Sequence, residues 1–213
     1  DTDRSRGLGD VYKRQLLYII CCDLLRLIEK ERLKSVKIKE VVSALERFAP
    51  LPLQEGFDNA GLQVGLTEAE VSGALLCLDV TESIVDEAIE KGCNLIVSHH
   101  PLVFHPLKRL TYADYVQRAV AKAIKNDITI LSMHTNMDNA EGGVNFKIAE
   151  KMDLQNVGFF AEKEVQGIKC GSGTIGEFAE PMAADDFIMM LKKTFDVESA
   201  VSYTHLRAHE TDQ

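Results

Sequence analysis

The residues best suited to chemistry form two short polar clusters, Ser98-His99-His100-Pro101 and His134-Thr135-Asn136-Met137-Asp138. Imidazole nitrogens combined with a carboxylate suit Zn, Mn, Fe, Co or Ni better than Ca or Mg. Successive side chains of a strand point to opposite sides, so His99 and His100 can approach a site from different angles and serve two ions. Asp138 can then bridge or complete the set. Two ions about 3.5–4 Å apart are the usual dinuclear hydrolytic arrangement.

Each cluster has a simpler interpretation when it is considered alone. A His-His pair is more often a feature of the surface or of a helix end than a ligand pair, and the His-x-x-x-Asp spacing is weaker still. Two such clusters after consecutive strands favour a metal site. His134 is either a third imidazole ligand or, the interpretation we favour, a residue that holds Asp138 or its loop in place.

The elements that position these clusters follow from the hydrophobic pattern. Nearly continuous apolar runs predict buried strands of a parallel sheet at 73–80, 94–98 and 127–133. Helical periodicity predicts helices at 36–48, 83–91, 112–125, 144–152 and 183–194. Strands that alternate with helices indicate right-handed βαβ crossovers and a layered α/β fold. The two clusters follow the second and third strands, and ligands collect at the carboxyl ends of such strands.

Local signals refine this prediction. Thr81 is a candidate N-cap, and Gly92 is placed to end the helix that follows. The helix at 112–125 is expected to turn five residues inward, namely Tyr115, Val116, Ala119, Val120 and Ile124. The stretches 53–66 and 155–173 are rich in glycine, and we expect a loop in the first and irregular structure through most of the second.

Composition limits the possible functions of the chain. A formal net charge of −9 over 213 residues gives no electrostatic support for a nucleic-acid partner. No apolar run approaches the roughly 18 residues that a membrane span needs. The five cysteines are odd in number and form no C-x-x-C pair, so a disulfide framework is not expected and a reducing cytoplasm fits best.

The two ends of the chain have the character of translated sequencing adapter. Residues 5–15 read, residue for residue, as one frame of a common transposon adapter, and residues 201–211 read as its reverse complement. We therefore expect non-native tails at 1–15 and 201–213. Residues 16–35 are either translated upstream DNA or an additional amphipathic helix. A metal-binding α/β domain is predicted at 36–170, and 171–200 would begin a second, truncated α/β half.

Four motifs resemble those of the GTP cyclohydrolase 1 type 2 family, also called the dinuclear-metal-centre hexameric proteins. Phe57-Asp58-Asn59-Ala60-Gly61-Leu62-Gln63-Val64-Gly65 resembles the family's N-terminal loop. Ser98-His99-His100-Pro101-Leu102-Val103-Phe104 and His134-Thr135-Asn136-Met137-Asp138 resemble its two metal-binding motifs. Gly171-Ser172-Gly173-Thr174-Ile175-Gly176-Glu177 is similar to its glycine-rich strand entry. The resemblance covers residues 36–200 in family order.

The resemblance implies a two-domain α/β fold, a toroidal hexamer and two divalent metal ions facing an internal cavity. Carried over residue by residue, it makes His99, His100 and Asp138 metal ligands. The family's other ligands belong to a C-terminal H-x-x-x-E motif that is not found before residue 200, so poor metal retention is expected. The residues expected to line the site or support its ligands are His134, Asn136, Asp58 and Asn59.

The activity that the resemblance implies is metal-dependent hydrolysis of GTP or a related nucleotide. Metal-activated hydroxide would attack C8 of guanine, open the imidazole ring and release formate. The alternative is a non-catalytic hexamer that binds metal for a regulatory or scaffolding purpose.

Overall fold

The computed structural model describes residues 36–202. The possible helix at 16–35 and the tails interpreted as adapter, apart from Val201 and Ser202, lie outside the described residues, as do Cys21 and Cys22. Within the described part of the chain, no helix is long and apolar enough to cross a membrane.

A four-stranded sheet forms the centre of the fold, and its strand order is β1-β4-β3-β2. The strands are β1 (Gly61–Val64), β2 (Ala74–Cys77), β3 (Leu95–Ser98) and β4 (Thr129–Ser132). β2, β3 and β4 are parallel, and β1 joins the edge of β4 in the antiparallel sense. The predicted layered α/β fold with βαβ crossovers is therefore confirmed.

Helices cover both faces of this sheet because both faces are apolar. Leu95, Val97 and Leu131 belong to one core cluster, together with residues of α1 (Ile38–Phe48) and the short α4 (Thr135–Asn139). Their chain neighbours Ile96 and Ile130 point to the other face. There they meet α2 (Glu82–Glu90) and α3 (Tyr115–Lys125), the crossover helices. A 3₁₀ turn (Leu51–Leu53) follows α1, and α5 (Val144–Lys151) follows α4.

The crossover helices begin where side chains cap them. The Thr81 hydroxyl accepts a hydrogen bond from the Ile84 amide, as predicted for the N-cap of α2. Asp114 accepts one from the Gln117 amide and caps α3, so α3 begins three residues later than predicted. Gly92 follows α2 with φ +67°, a conformation that glycine adopts without a steric penalty.

Two stretches expected to be loop or irregular contain strands. β1 lies inside 53–66, where it is only four residues long and glycine-flanked, so the alternation typical of a strand is too short to stand out. β5 (Gln155–Val165) and β6 (Ile168–Glu177) form a long hairpin, which the prediction identified only at 174–178. Its turn has positive φ at Gln166 and Gly167, as a type I′ turn requires. The predicted boundary between residues 170 and 171 falls inside β6.

The inward face of α3 was predicted wrongly at two residues. Val116, Ala119, Val120 and Ala123 pack against the sheet, whereas Tyr115 and Ile124 are more than half exposed. The small alanines let the helix lie close to the sheet, which leaves the large side chains at the edges of the stripe in solvent. The last helix, α6 (Ala184–Phe195), has no fully buried residue among those described.

Candidate metal centre

The register of the three parallel strands sets three small buried residues at one level. Cys77, Ser98 and Ser132 are paired neighbours across β2, β3 and β4. Asp79, His100 and His134 each lie two residues beyond this row. The carboxyl edge of the sheet therefore presents a carboxylate and two imidazoles side by side, and His99 lies one residue nearer the strand end.

The three histidines converge at this edge. One ring nitrogen from each of His99, His100 and His134 lies within 4.8 Å of the others. The ring centroids are 5.0 Å apart for His99 and His100, 5.2 Å for His99 and His134, and 5.5 Å for His100 and His134. His99 is buried and the other two are half-buried, so the cluster is open on one side.

The Nδ1 atom of each histidine is already engaged by an oxygen atom. His99 Nδ1 lies 3.0 Å from the Met133 carbonyl oxygen. His100 Nδ1 lies 2.8 Å from Oδ1 of Asp79, and His134 Nδ1 lies 2.8 Å from Oδ1 of Asp58. A carbonyl or an ionised carboxylate can only accept, so each Nδ1 carries the proton and donates it. In the neutral rings the Nε2 lone pairs are consequently the ones available to a metal.

Asp58 is the best-held of these supporting groups. Its side chain has no exposed surface, and it accepts hydrogen bonds from His134, from the Thr135 amide at 3.1 Å and from the Thr135 hydroxyl. Burial raises the pKa of this carboxyl group, but the hydrogen bonds from Thr135 and His134 outweigh burial. The pKa is therefore held below its ordinary value of 3.8, and Asp58 is an anion at neutral pH.

Asp138 lies beside the cluster, with Oδ2 3.8 Å from Nε2 of His99. Its backbone amide bonds to the carbonyl of His134 in α4, so one helical turn brings the two side chains to one side. The contact is longer than a hydrogen bond, and it joins the two atoms that would bind a metal. A histidine nitrogen and a carboxylate oxygen at this separation can both reach one ion with bonds of about 2.0–2.2 Å.

The donor set of three imidazoles and one carboxylate fits transition-metal or zinc ligation. Two ligands of a single zinc ion are at most about 4.2 Å apart, twice the Zn–N bond length. The nitrogen atoms of the three rings all lie within 4.8 Å of one another, which is close to the spacing that ligation requires.

The two predicted asparagines lie outside the histidine cluster and join neighbouring segments of the chain. Asn59 donates from Nδ2 to the carbonyl oxygen of Val103 at 2.6 Å and so joins the loop before β1 to the loop after the histidine pair. Asn136 is fully buried and donates to the Ala49 carbonyl oxygen at 2.7 Å, which anchors α4 to the end of α1. His105 is exposed, in a loop where Pro106 follows it.

Two supporting residues were missed by the sequence prediction. Asp79 follows β2 as the histidines follow β3 and β4, so a search for polar residues after every strand of the sheet would have found it. Glu55 lies in a loop and accepts hydrogen bonds from Asn139 of α4, at 2.7 Å, and from Lys163 of β5, at 2.9 Å. No local pattern indicates that Glu55 joins these elements, because its partners lie 84 and 108 residues away in the sequence.

The fold and the site define an α/β protein with a histidine cluster at the carboxyl edge of its parallel strands. Residues 36–211 match the Duf34/NIF3 (NGG1p interacting factor 3) family. The chain belongs to this family.

Curated relatives carry the name GTP cyclohydrolase 1 type 2 homolog. The Clostridium acetobutylicum protein is 33% identical over 165 residues, which are 78% of this chain and 62% of the relative. The Clostridium perfringens protein is 35% identical over 164 residues, or 77% of this chain and 62% of the relative. The chain thus spans about 62% of the length of these relatives.

Solved structures share the fold. A Staphylococcus aureus hypothetical protein is similar with a TM-score of 0.69 and 30% identity, over 78% of this chain and 66% of that one. HcgD of Methanocaldococcus jannaschii is similar with a TM-score of 0.64 and 29% identity, over 76% and 61% of the two chains.

Proposed function

We propose that this chain forms a divalent metal centre from His99, His100, His134 and Asp138. The observation that carries the proposal is the set of three imidazoles whose Nδ1 atoms are all held by oxygen acceptors, while one ring nitrogen of each lies within 4.8 Å of the others. Ring orientation and tautomer are thereby fixed before any ion arrives, which lowers the cost of binding. The proposal uses His134 as a ligand, the interpretation that the sequence alone had ranked second.

We further propose that the complete protein is a metal-dependent hydrolase of GTP or a related nucleotide. A bound divalent ion would polarise the substrate and lower the pKa of water, which is the chemistry that such a hydrolysis needs. The chain's own residues would hold the ligands: Asp79 orients His100, and Asp58 orients His134. The open side of the cluster gives a substrate access. The curated relatives' name supports GTP as the first compound to test.

The test is a formate-release assay with GTP and added Mn²⁺ or Zn²⁺, run on a full-length relative and on its variant at the position of His100. We expect formate in the first and none in the second. Formate release that is equal in the two proteins, or absent from both, would overturn the GTP proposal while leaving metal binding to be judged by its own titration.

We also propose the hexameric assembly and the cytoplasmic location that the resemblance implies. Among the described residues, Cys93 and Cys170 have free thiols, which agrees with a reducing compartment. A non-catalytic scaffold would lose its hexamer on chelation and release no formate, so sedimentation with and without EDTA separates the two functions.

A further inference from the structure

A pocket of about 230 Å³ opens directly beside the histidine cluster. Its walls come from the ends of two strands and the start of α3, and its lining residues are Asp79, Val80, Thr81, His100, Pro101, Leu102 and Tyr115. His100 belongs both to this pocket and to the cluster, so a group bound in the pocket adjoins whatever the cluster holds. The volume is below the roughly 300–1,000 Å³ of whole-ligand sites, which suits one ring of a larger ligand.

The charge of this pocket disfavours phosphate. Asp79 contributes a carboxylate that is more than half exposed, and none of the residues described as lining the pocket is Lys or Arg. The amino end of α2 adjoins Thr81 and would attract an anion. Glu82 in the first turn of that helix already supplies negative charge there, and it is paired with Arg118. A phosphate placed in the pocket would face the Asp79 carboxylate, and no Lys or Arg among the described lining residues would offset that charge.

The remaining lining groups suit a sugar. Tyr115 brings a hydroxyl group that both donates and accepts, and Asp79 brings an acceptor. The Thr81 hydroxyl is already engaged by the Ile84 amide and the Ser83 hydroxyl. A ligand hydroxyl can donate to the carboxylate and accept from the phenol, whereas an ammonium group could only donate. Val80 and Leu102 are buried apolar residues against which the C–H faces of a ring can pack.

We infer that this pocket binds the hydroxyl-bearing sugar ring of a nucleoside-type ligand, with the phosphates directed away from it. The inference rests on the proposed function, because the pocket would position the substrate against the metal centre. The inference specifies which part of the substrate is recognised and which residues recognise it. Tyr115 is the most selective probe, because it lines the pocket and forms no part of the histidine network.

The experiment is calorimetric binding of nucleosides to the Mn²⁺-loaded chain. Guanosine, adenosine and cytidine are each compared with their 2′,3′-dideoxy counterparts, in the wild type and in Tyr115→Phe. The matched control is Tyr112→Phe, because Tyr112 is a similarly exposed tyrosine outside the pocket. Metal content is measured for every sample, so that a change in the metal centre is not mistaken for a change in the pocket.

We expect at least one ribonucleoside to bind more tightly than its dideoxy form. Tyr115→Phe should weaken the binding of that ribonucleoside by about 2- to 13-fold, the equivalent of one hydrogen bond. It should leave the binding of the dideoxy form unchanged. Equal binding within every pair, no binding of any ribonucleoside, or an equal effect of the Tyr112→Phe control would overturn the inference. Sugar-selective binding without formate release would retain the pocket assignment and reject only the GTP reaction.

Discussion

Asp58→Asn tests whether the buried carboxylate prepares His134 for a metal. The wild-type carboxylate uses one oxygen for His134 and the other for Thr135. Asparagine has only one side-chain oxygen. If this oxygen faces Thr135, the amide NH₂ faces His134 Nδ1, the ring proton moves to Nε2, and the metal-binding lone pair is lost. If the oxygen faces His134 instead, the NH₂ meets the Thr135 amide donor.

The expected loss of metal affinity follows from this choice. Removing such a supporting partner costs about 10- to 100-fold in metal affinity, or about 1.4–2.8 kcal/mol. Losing one hydrogen bond to a charged group is worth about 1.5–3 kcal/mol. The two independent estimates agree. Asp58→Asn should therefore bind Zn²⁺ about 10- to 100-fold more weakly than the wild type does.

The assay is competition for Zn²⁺ against a chromophoric chelator, with thermal unfolding in EDTA as a check on the fold. Asp86→Asn is the matched control, since it makes the same chemical change in an exposed ion pair with Lys122. A folded Asp58→Asn protein whose Zn²⁺ affinity is within twofold of that control would refute the reasoning.

Three other predictions concern stability. The hydrogen bond from Lys163 is the main cause that lowers the pKa of Glu55. The ionised carboxylate therefore stabilises the fold at pH values above its ordinary pKa of 4.5. This stabilisation is lost as the pH falls through the lowered pKa. Glu55→Gln should lower the free energy of unfolding by about 1 kcal/mol at pH 7 and should make stability fall less steeply at acid pH. An unchanged dependence of stability on acid pH would contradict this prediction. Gly143→Ala brings Cβ into collision with the Met137 carbonyl oxygen and should lower the free energy of unfolding by about 1–3 kcal/mol, measured in urea. Gly158→Ala, with open space around it, should not do so, and equal effects of the two substitutions would show that the close approach is unimportant. Zn²⁺ at about 100 times its Kd should stabilise the protein by about 2.7 kcal/mol. The measurement is a rise in melting temperature that EDTA abolishes. No rise at that excess of Zn²⁺ would argue against binding to the folded chain.

The central sheet was predictable because its strands are continuous apolar runs bounded by strong signals. Thr81 and Gly92 begin and end a helix by local chemistry, which a sequence displays directly. The β5–β6 hairpin was not identified in full because both of its strands expose many polar residues. Its turn also places Gln166, rather than Asn or Asp, at a position of positive φ.

The sequence indicated where the candidate site lies but not how its residues contact one another. The two polar clusters predicted a site where the parallel strands end, and the family resemblance named His99, His100 and Asp138 as its ligands. The position of His134 depends on the register between β3 and β4, which only the folded sheet defines. Asp79 and Asp58 act through hydrogen bonds that span 21 and 76 residues of sequence, and spacing along the chain carries no information about such pairs.

The most direct test of the metal-centre proposal is nitrogen-15 NMR of histidine-labelled protein loaded with cadmium-113. The proposal predicts cadmium–nitrogen coupling at Nε2 of His99, His100 and His134, while each Nδ1 keeps its proton. Coupling at Nδ1, or no coupling at any of the three rings under saturating cadmium, would contradict it.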